Sequence, residues 1–184
     1  RQRQMCIRDR NYSNQVDLTP MSTVVFSLDD ATAMGGDEVM LTVSMNNLEP
    51  VAGVQFNLDD TPDYLTLLSA VGTDRIPTDW SISTSDTDGS GLVLGFSFQG
   101  TTIAPGNGPV LELTFSTAAT EPSNVSVCIE NETVSDVMGG AFLTDAGCGT
   151  VTLDVEGIDI TFDAPALPID QGQTGNPVSY THLT

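Results

Sequence analysis

The chain has 184 residues, with 25 Asp and Glu against five Lys and Arg, one His and three Cys, for a formal charge of −20 at pH 7. That length holds one ordinary domain with flanks, and no apolar run reaches the roughly 18 residues that a membrane span requires. The charge repels nucleic-acid phosphates and anionic lipid surfaces, so neither nucleic acid nor membrane insertion is expected.

The ends of the chain stand apart from the rest. Four cations, Arg1, Arg3, Arg8 and Arg10, fall in RQRQMCIRDR, and His182 falls in PVSYTHLT. Back-translated, both segments resemble one transposon adapter of sequencing libraries, read in forward and reverse-complement sense. Residues 1–10 and 177–184 are therefore expected to be artefact and are set aside from fold reasoning. Without Asp9, residues 11–176 hold 24 acids against one cation, Arg75, a formal charge of −23, and no His or Lys. Cys6 leaves as well, and the remaining even pair, Cys128 and Cys148, reads as a disulfide and hence as an extracellular or cell-surface setting.

From Thr23 onward, short alternations of apolar and polar residues recur, and period two is the strand signal; helical periodicity is nearly absent. In chain order the inward residues are expected to be Val24, Phe26 and Leu28; Val39, Leu41, Val43 and Met45; Val54, Phe56 and Leu58; and Leu65 and Leu67. They continue as Trp80 with Ile82; Leu92, Leu94, Phe96 and Phe98; Leu111, Leu113 and Phe115; Val125, Val127 and Ile129; and Val151, Leu153 and Val155. Between them lie turns such as Met34-Gly35-Gly36-Asp37, Thr61-Pro62-Asp63 and Pro105-Gly106-Asn107-Gly108-Pro109. There Gly supplies positive φ, Pro presets the turn entry, and Asx side chains bond their own backbone. The expected fold class is all-β, an antiparallel β-sandwich of about nine strands over residues 23–155. A flank at 11–22 precedes it, and an acidic linker containing Pro and Gly follows at 156–176.

Cys128 falls between the inward Val127 and Ile129, so it should face outward, and a loop of about 20 residues closed to Cys148 should add roughly 3 kcal/mol of stability. Outward positions on the third strand are read as Gly53, Gln55 and Asn57, and on the sixth as Val93, Gly95 and Ser97. Together they make a flat, uncharged, small-residue face, which suits the core of a protein interface because burying unpaired charge is costly.

Catalytic chemistry finds few residues. Without His or Lys there is no nucleophile–base pair or Schiff-base amine, and acid pairs such as Asp59 with Asp60 or Glu130 with Glu132 arise by composition alone. No enzyme is expected. Zinc and transition metals lack imidazole ligands, which leaves calcium as the one cofactor the acidic loops allow, with Asp86 and Asp88 of Ser85-Asp86-Thr87-Asp88-Gly89 as its weak candidate ligands. Trp80 offers a stacking platform for a glycan, but its phase with Ile82 assigns it to the core.

The order of segments resembles the cohesin domain, a module of bacterial cell-surface and cellulosome-like proteins that binds dockerin modules. The resemblance rests on V-x-F-S-L, then A-x-x-G-G-D-E-V-x-L-T-V, then V-A-G-V-Q-F-N-L-D-D-T-P-D-Y-L-T-L, then G-L-V-L-G-F-S-F, G-P-V-L-E-L-T-F-S and G-T-V-T-L. It implies a jelly-roll topology and a dockerin-like protein partner on the sheet of strands three, five, six and eight. There the family's third strand often presents an Asn and an Asp, and Gly53 and Gln55 stand at those positions here. The expected function is thus a non-catalytic extracellular protein-binding module of a larger protein. The alternatives are a carbohydrate-binding module on a polysaccharide-degrading enzyme, with a glycan as partner, and a structural spacer of an adhesin.

Overall fold

A computed structural model of the chain describes residues 23–87, 89–118 and 122–154. The adapter-like ends, the flank, the linker, Val155 and Asp88 lie outside the described residues. The described chain is all strand: β1 (Thr23–Leu28), β2 (Ala31–Met34), β3 (Glu38–Asn47), β4 (Gly53–Thr61), β5 (Leu65–Gly72), β6 (Trp80–Thr87), β7 (Ser90–Ser97), β8 (Gly106–Thr117), β9 (Ser123–Ser135), β10 (Leu143–Ala146) and β11 (Cys148–Asp154). They form two sheets, ordered β10-β1-β3-β8-β5 and β2-β11-β9-β4-β7-β6, packed as a jelly-roll sandwich.

The strands form because alternate residues have a core to enter. Val24, Phe26 and Leu28 of β1, Val39, Leu41, Val43 and Met45 of β3, and Leu111, Leu113 and Phe115 of β8 meet Val54, Phe56 and Leu58 of β4 and Val125, Val127 and Ile129 of β9. Each was expected inward and each is buried. Phe26 and Phe56 join the two sheets with ring centroids 5.7 Å apart.

Eleven strands replace the expected nine because the first and last segments each change sheets. The chain leaves β1 at Asp29 and Asp30 and re-enters the other sheet as β2, parallel to β11. Likewise β10 runs parallel to β1, and Gly147 hands the chain to β11 in the opposite sheet. The sheets are therefore mixed rather than purely antiparallel. The two crossings touch: a Cβ on Gly149 would lie 2.5 Å from the Asp29 carbonyl oxygen, so only glycine admits the approach.

Cys128 and Cys148 sit directly opposite in the β9–β11 pairing and form a disulfide, with Cα atoms 4.1 Å apart. The double variant Cys128→Ala with Cys148→Ala is expected to lose about 3 kcal/mol of unfolding free energy, read by urea titration. A loss below about 1 kcal/mol would show that strand pairing alone holds this seam.

The single cation of the described chain has a structural post. Arg75 donates to the carbonyls of Met45 (2.6 Å), Gly108 (3.0 Å) and Ala104 (3.3 Å) and to Asn47 Oδ1 (2.7 Å). Asn47, only 1% exposed, in turn donates to the carbonyls of Glu49 and Ala104. The guanidinium thus ties the end of β3 to the start of β8.

Candidate functional site

Four of the six strands of the second sheet, β9-β4-β7-β6, present an open outer face, and strand register dictates its composition. On β4, Val54, Phe56 and Leu58 occupy the core, so Gly53, Gln55 and Asn57 point outward as expected. Their partners across β7 are Phe96, Leu94 and Leu92. Beyond β7, the same three residues face Ser81, Ser83 and Ser85 of β6, and on the other side of β4 lie Ser135, Thr133 and Glu130 of β9. The face is therefore an apolar stripe between a serine row and an amide row.

This overturns the expected phase of the sixth strand. Val93 is 0% exposed and Gly95 is buried, so neither can meet a partner, while Leu92, Leu94 and Phe96 are the outward, half-buried set. The reason lies in the neighbours. Val54, Phe56 and Leu58, all core residues, stand opposite Gly95, Val93 and Gly91, and paired residues share a face. The space over the glycines is already filled: a Cβ on Gly91 would lie 3.0 Å from Leu67 Cδ2, and one on Gly95 would lie 3.2 Å from Val54 Cγ2 and 3.5 Å from Trp80 Cε3. Two leucines and a phenylalanine would not fit there.

Ser97, also expected to face a partner, holds a loop instead. Its Oγ donates to Asp79 Oδ2 and accepts from the amides of Gln99 (2.9 Å) and Thr101 (3.3 Å). Just beyond it Phe98, expected inward, is 83% exposed, with its ring edge-on to Phe96 at 4.7 Å. Elsewhere on the face Asn57 Nδ2 donates to Ser90 Oγ (3.2 Å). Between Gln55 and Asn57 the register to β9 shifts by one residue, where Asn131 adopts φ 53°. A shallow depression of about 310 Å³ opens among Gly53, Gln55, Leu94, Phe96, Thr133 and Ser135.

The apolar stripe was missed, but one signal for it was in the sequence. From Gly89 to Leu111 there is no charged residue, the longest such stretch between Asn11 and Asn176 in a chain otherwise dense with acids. Gly91 and Gly95, spaced by four and flanking Val93, mark the side on which space is short.

No family model and no curated protein matches the sequence. Solved structures do match by shape. The sixth cohesin of Acetivibrio cellulolyticus scaffoldin B, solved in complex with a Cel5 dockerin, superposes with a TM-score of 0.60 at 18% identity, covering 72% of this chain and 99% of that one. The seventh ScaB type I cohesin of Pseudobacteroides cellulosolvens gives 0.61 at 17% identity over 77% and 98%. A non-cellulosomal cohesin from the archaeon Archaeoglobus fulgidus gives 0.58 at 13% identity over 71% and 91%. The fold of this chain is that of the cohesins. At such identities the likeness is one of fold, and it agrees with the resemblance read from the order of the strands.

The other candidate sites of the domain have structural duties. Trp80 is 9% exposed and its Nε1 donates to the Thr101 carbonyl (3.1 Å), so it packs the core rather than offering a glycan platform. The Asp86 carboxylate accepts the Leu67 amide (2.8 Å), Asp88 lies outside the described residues, and among the described residues no group of three or more His, Cys, Asp or Glu is arranged to hold a metal. Asp59 and Asp60 are successive strand residues whose side chains leave opposite faces. Among the described residues no helix is long and apolar enough to cross a membrane.

Asp60 carries a pH dependence. Its carboxylate accepts the amides of Tyr64 (2.8 Å) and Leu65 (3.0 Å) and so closes the β4–β5 turn. Burial pushes its pKa up; the two amides offset part of this, and the charges of Asp63 and Asp86 add to the rise. A carboxyl whose folded pKa exceeds its unfolded one binds its proton more readily when folded, so stability increases as pH falls through the folded value. Asp60→Asn, which keeps an acceptor oxygen for both amides, is expected to raise the melting temperature at pH 7 and to flatten its slope between about pH 7 and 4. Parallel melting curves that stay a constant distance apart would show that Asp60 contributes nothing to that slope.

Proposed function

We propose that this domain is a non-catalytic protein-binding module that receives a dockerin-like partner on the outer face of β9-β4-β7-β6. It acts outside the cell or at its surface as one part of a larger modular protein. The observation that carries this reading is the stripe of Leu92, Leu94 and Phe96, lying open between uncharged rows in a molecule otherwise covered with carboxylates. Apolar surface left open on a strongly charged protein needs a reason, and a charge-poor, partly apolar patch with a polar rim is the form of a protein interface.

The cohesin fold supports the same reading, since neighbours of this shape were solved with dockerins seated on them. The Cys128–Cys148 disulfide favours an oxidising compartment. Residues 156–176, acidic and containing Pro and Gly, serve in this reading as a linker to further modules. A glycan partner gains no support, because the one Trp is spent on the core.

The test is titration of the domain against a broad panel of dockerin modules by surface plasmon resonance. Saturable binding with a Kd of about 1 μM or tighter is expected for at least one. Failure of every module at about 100 μM removes the dockerin reading.

A further inference from the structure

The open face does not stop at the end of β7. Gly53, Phe96 and Ser135 lie side by side at one end of the sheet, and three loops leave the sandwich there: β3–β4, β7–β8 and β9–β10. Each carries exposed apolar side chains: Leu48 (72%), Phe98 (83%), and Val137 (63%) with Met138 (90%). A single exposed apolar residue needs no explanation, but large ones on three neighbouring loops do.

Two of these loops are braced by their own polar side chains. Around Phe98, Ser97 Oγ and Thr101 Oγ1 both donate to the Asp79 carboxylate, Ser97 Oγ accepts two loop amides, and Trp80 Nε1 holds the Thr101 carbonyl. Around Met138, Asp136 Oδ1 accepts the amides of Met138 and Gly140, both at 2.8 Å. A braced loop loses less conformational freedom when a partner docks, and a rigidly presented aromatic ring is the kind of residue that dominates interface energies.

The charges nearby have one sign. Glu49 follows Leu48, Asp136 precedes Val137, and Asp79 underlies the Phe98 loop. Arg75, the cation of the described chain, has its guanidinium taken by the carbonyls of Met45, Gly108 and Ala104 and by Asn47. An acidic partner would find nothing to pair with among these side chains, whereas a basic rim would be matched by Glu49 and Asp136, the Asp79 carboxylate being taken up by Ser97 and Thr101.

We infer that Phe98 is an anchor that enters an apolar socket ringed by Lys or Arg on a partner protein, with Leu48 and Met138 beside it, so that contact runs from the sheet face over this end of the sandwich. Asp79 is a positioning residue that acts through Phe98. The inference rests on the protein-binding reading above and adds to it the chemistry of the partner.

The experiment uses the full chain and dockerin modules ranging from acidic to basic on their exposed helices, with surface plasmon resonance at about 0.05 and 0.5 M NaCl. Basic modules are expected to bind tightest and to weaken at high salt. Phe98→Ala should weaken binding by about 30-fold or more without moving the melting temperature, because the ring is exposed. Asp79→Asn should weaken it about 3- to 10-fold in the wild type and have no further effect in a Phe98→Ala background, since a residue acting through Phe98 has nothing left to position. If Phe98→Ala binds within twofold of wild type while Leu94→Asp abolishes binding, the anchor is overturned and the sheet-face reading stands. Equal, salt-independent binding of acidic and basic modules overturns the basic socket, and binding by no module overturns both readings.

Discussion

Leu94→Asp is expected to abolish partner binding, by a hundredfold or more, while lowering the melting temperature by only a few degrees. Leu94 sits at the centre of the open face, with Gln55 on one side and Ser83 on the other. A partner covering the stripe would have to desolvate the new carboxylate, and among the described residues the one cation, Arg75, is already engaged by Met45, Gly108, Ala104 and Asn47; an unpaired buried charge costs several kcal/mol. The fold itself is nearly indifferent. Leu94 points away from the core, and an aspartate on a solvated strand position costs about 1 kcal/mol. Binding by surface plasmon resonance and melting by circular dichroism, run on the same sample, separate the two effects. Undiminished binding would move the partner to another surface.

Phe56→Ala should remove about 3–5 kcal/mol of stability, a third or more of what a domain of this kind commonly has. Phe56 is 0% exposed, and its ring meets Phe26, itself 2% exposed, across the gap between the sheets. Truncation loses the transfer energy of the ring and leaves a cavity that neighbours pinned by two hydrogen-bonded sheets cannot collapse into. Urea unfolding with the disulfide intact measures the loss. A value under about 1 kcal/mol would mean that the sandwich closes around the gap and that the Phe26–Phe56 contact does little to hold the sheets together.

Where a strand's two faces differ plainly in polarity, its orientation was legible. Val-x-Phe-x-Leu in β1, Val-x-Leu-x-Val-x-Met in β3 and Val-x-Val-x-Ile in β9 put most of the large apolar residues on one side, Val25 and Met40 excepted, and the core takes that side. The disulfide was legible too, from an even pair of cysteines with the first in outward phase. β7 was not legible by the same rule. Its larger residues lie on one face and Gly91, Val93 and Gly95 on the other, and the rule that the bulkier face turns inward gave the wrong answer. That rule puts Val93 and Gly95 on the partner face and Leu92, Leu94 and Phe96 in the core, the reverse of the fold.

The low count of cations, the dense acids, the charge-free run from Gly89 to Leu111 and the period-two alternation are properties of the chain itself, and they alone determine an all-β, acidic domain. Local pattern suffices for these because side-chain period and charge are local. Three things were decided only in three dimensions. β7 turns its small residues inward because β4 sets the register and Trp80 and Leu67 already fill the space over its glycines. The four-residue strands β2 and β10 exist because β11 and β1 supply parallel partners for them, and runs so short have no periodic signal of their own. The apolar stripe of Leu92, Leu94 and Phe96 is a consequence of the first: once the core over β7 is filled by other residues, its large side chains are left facing outward.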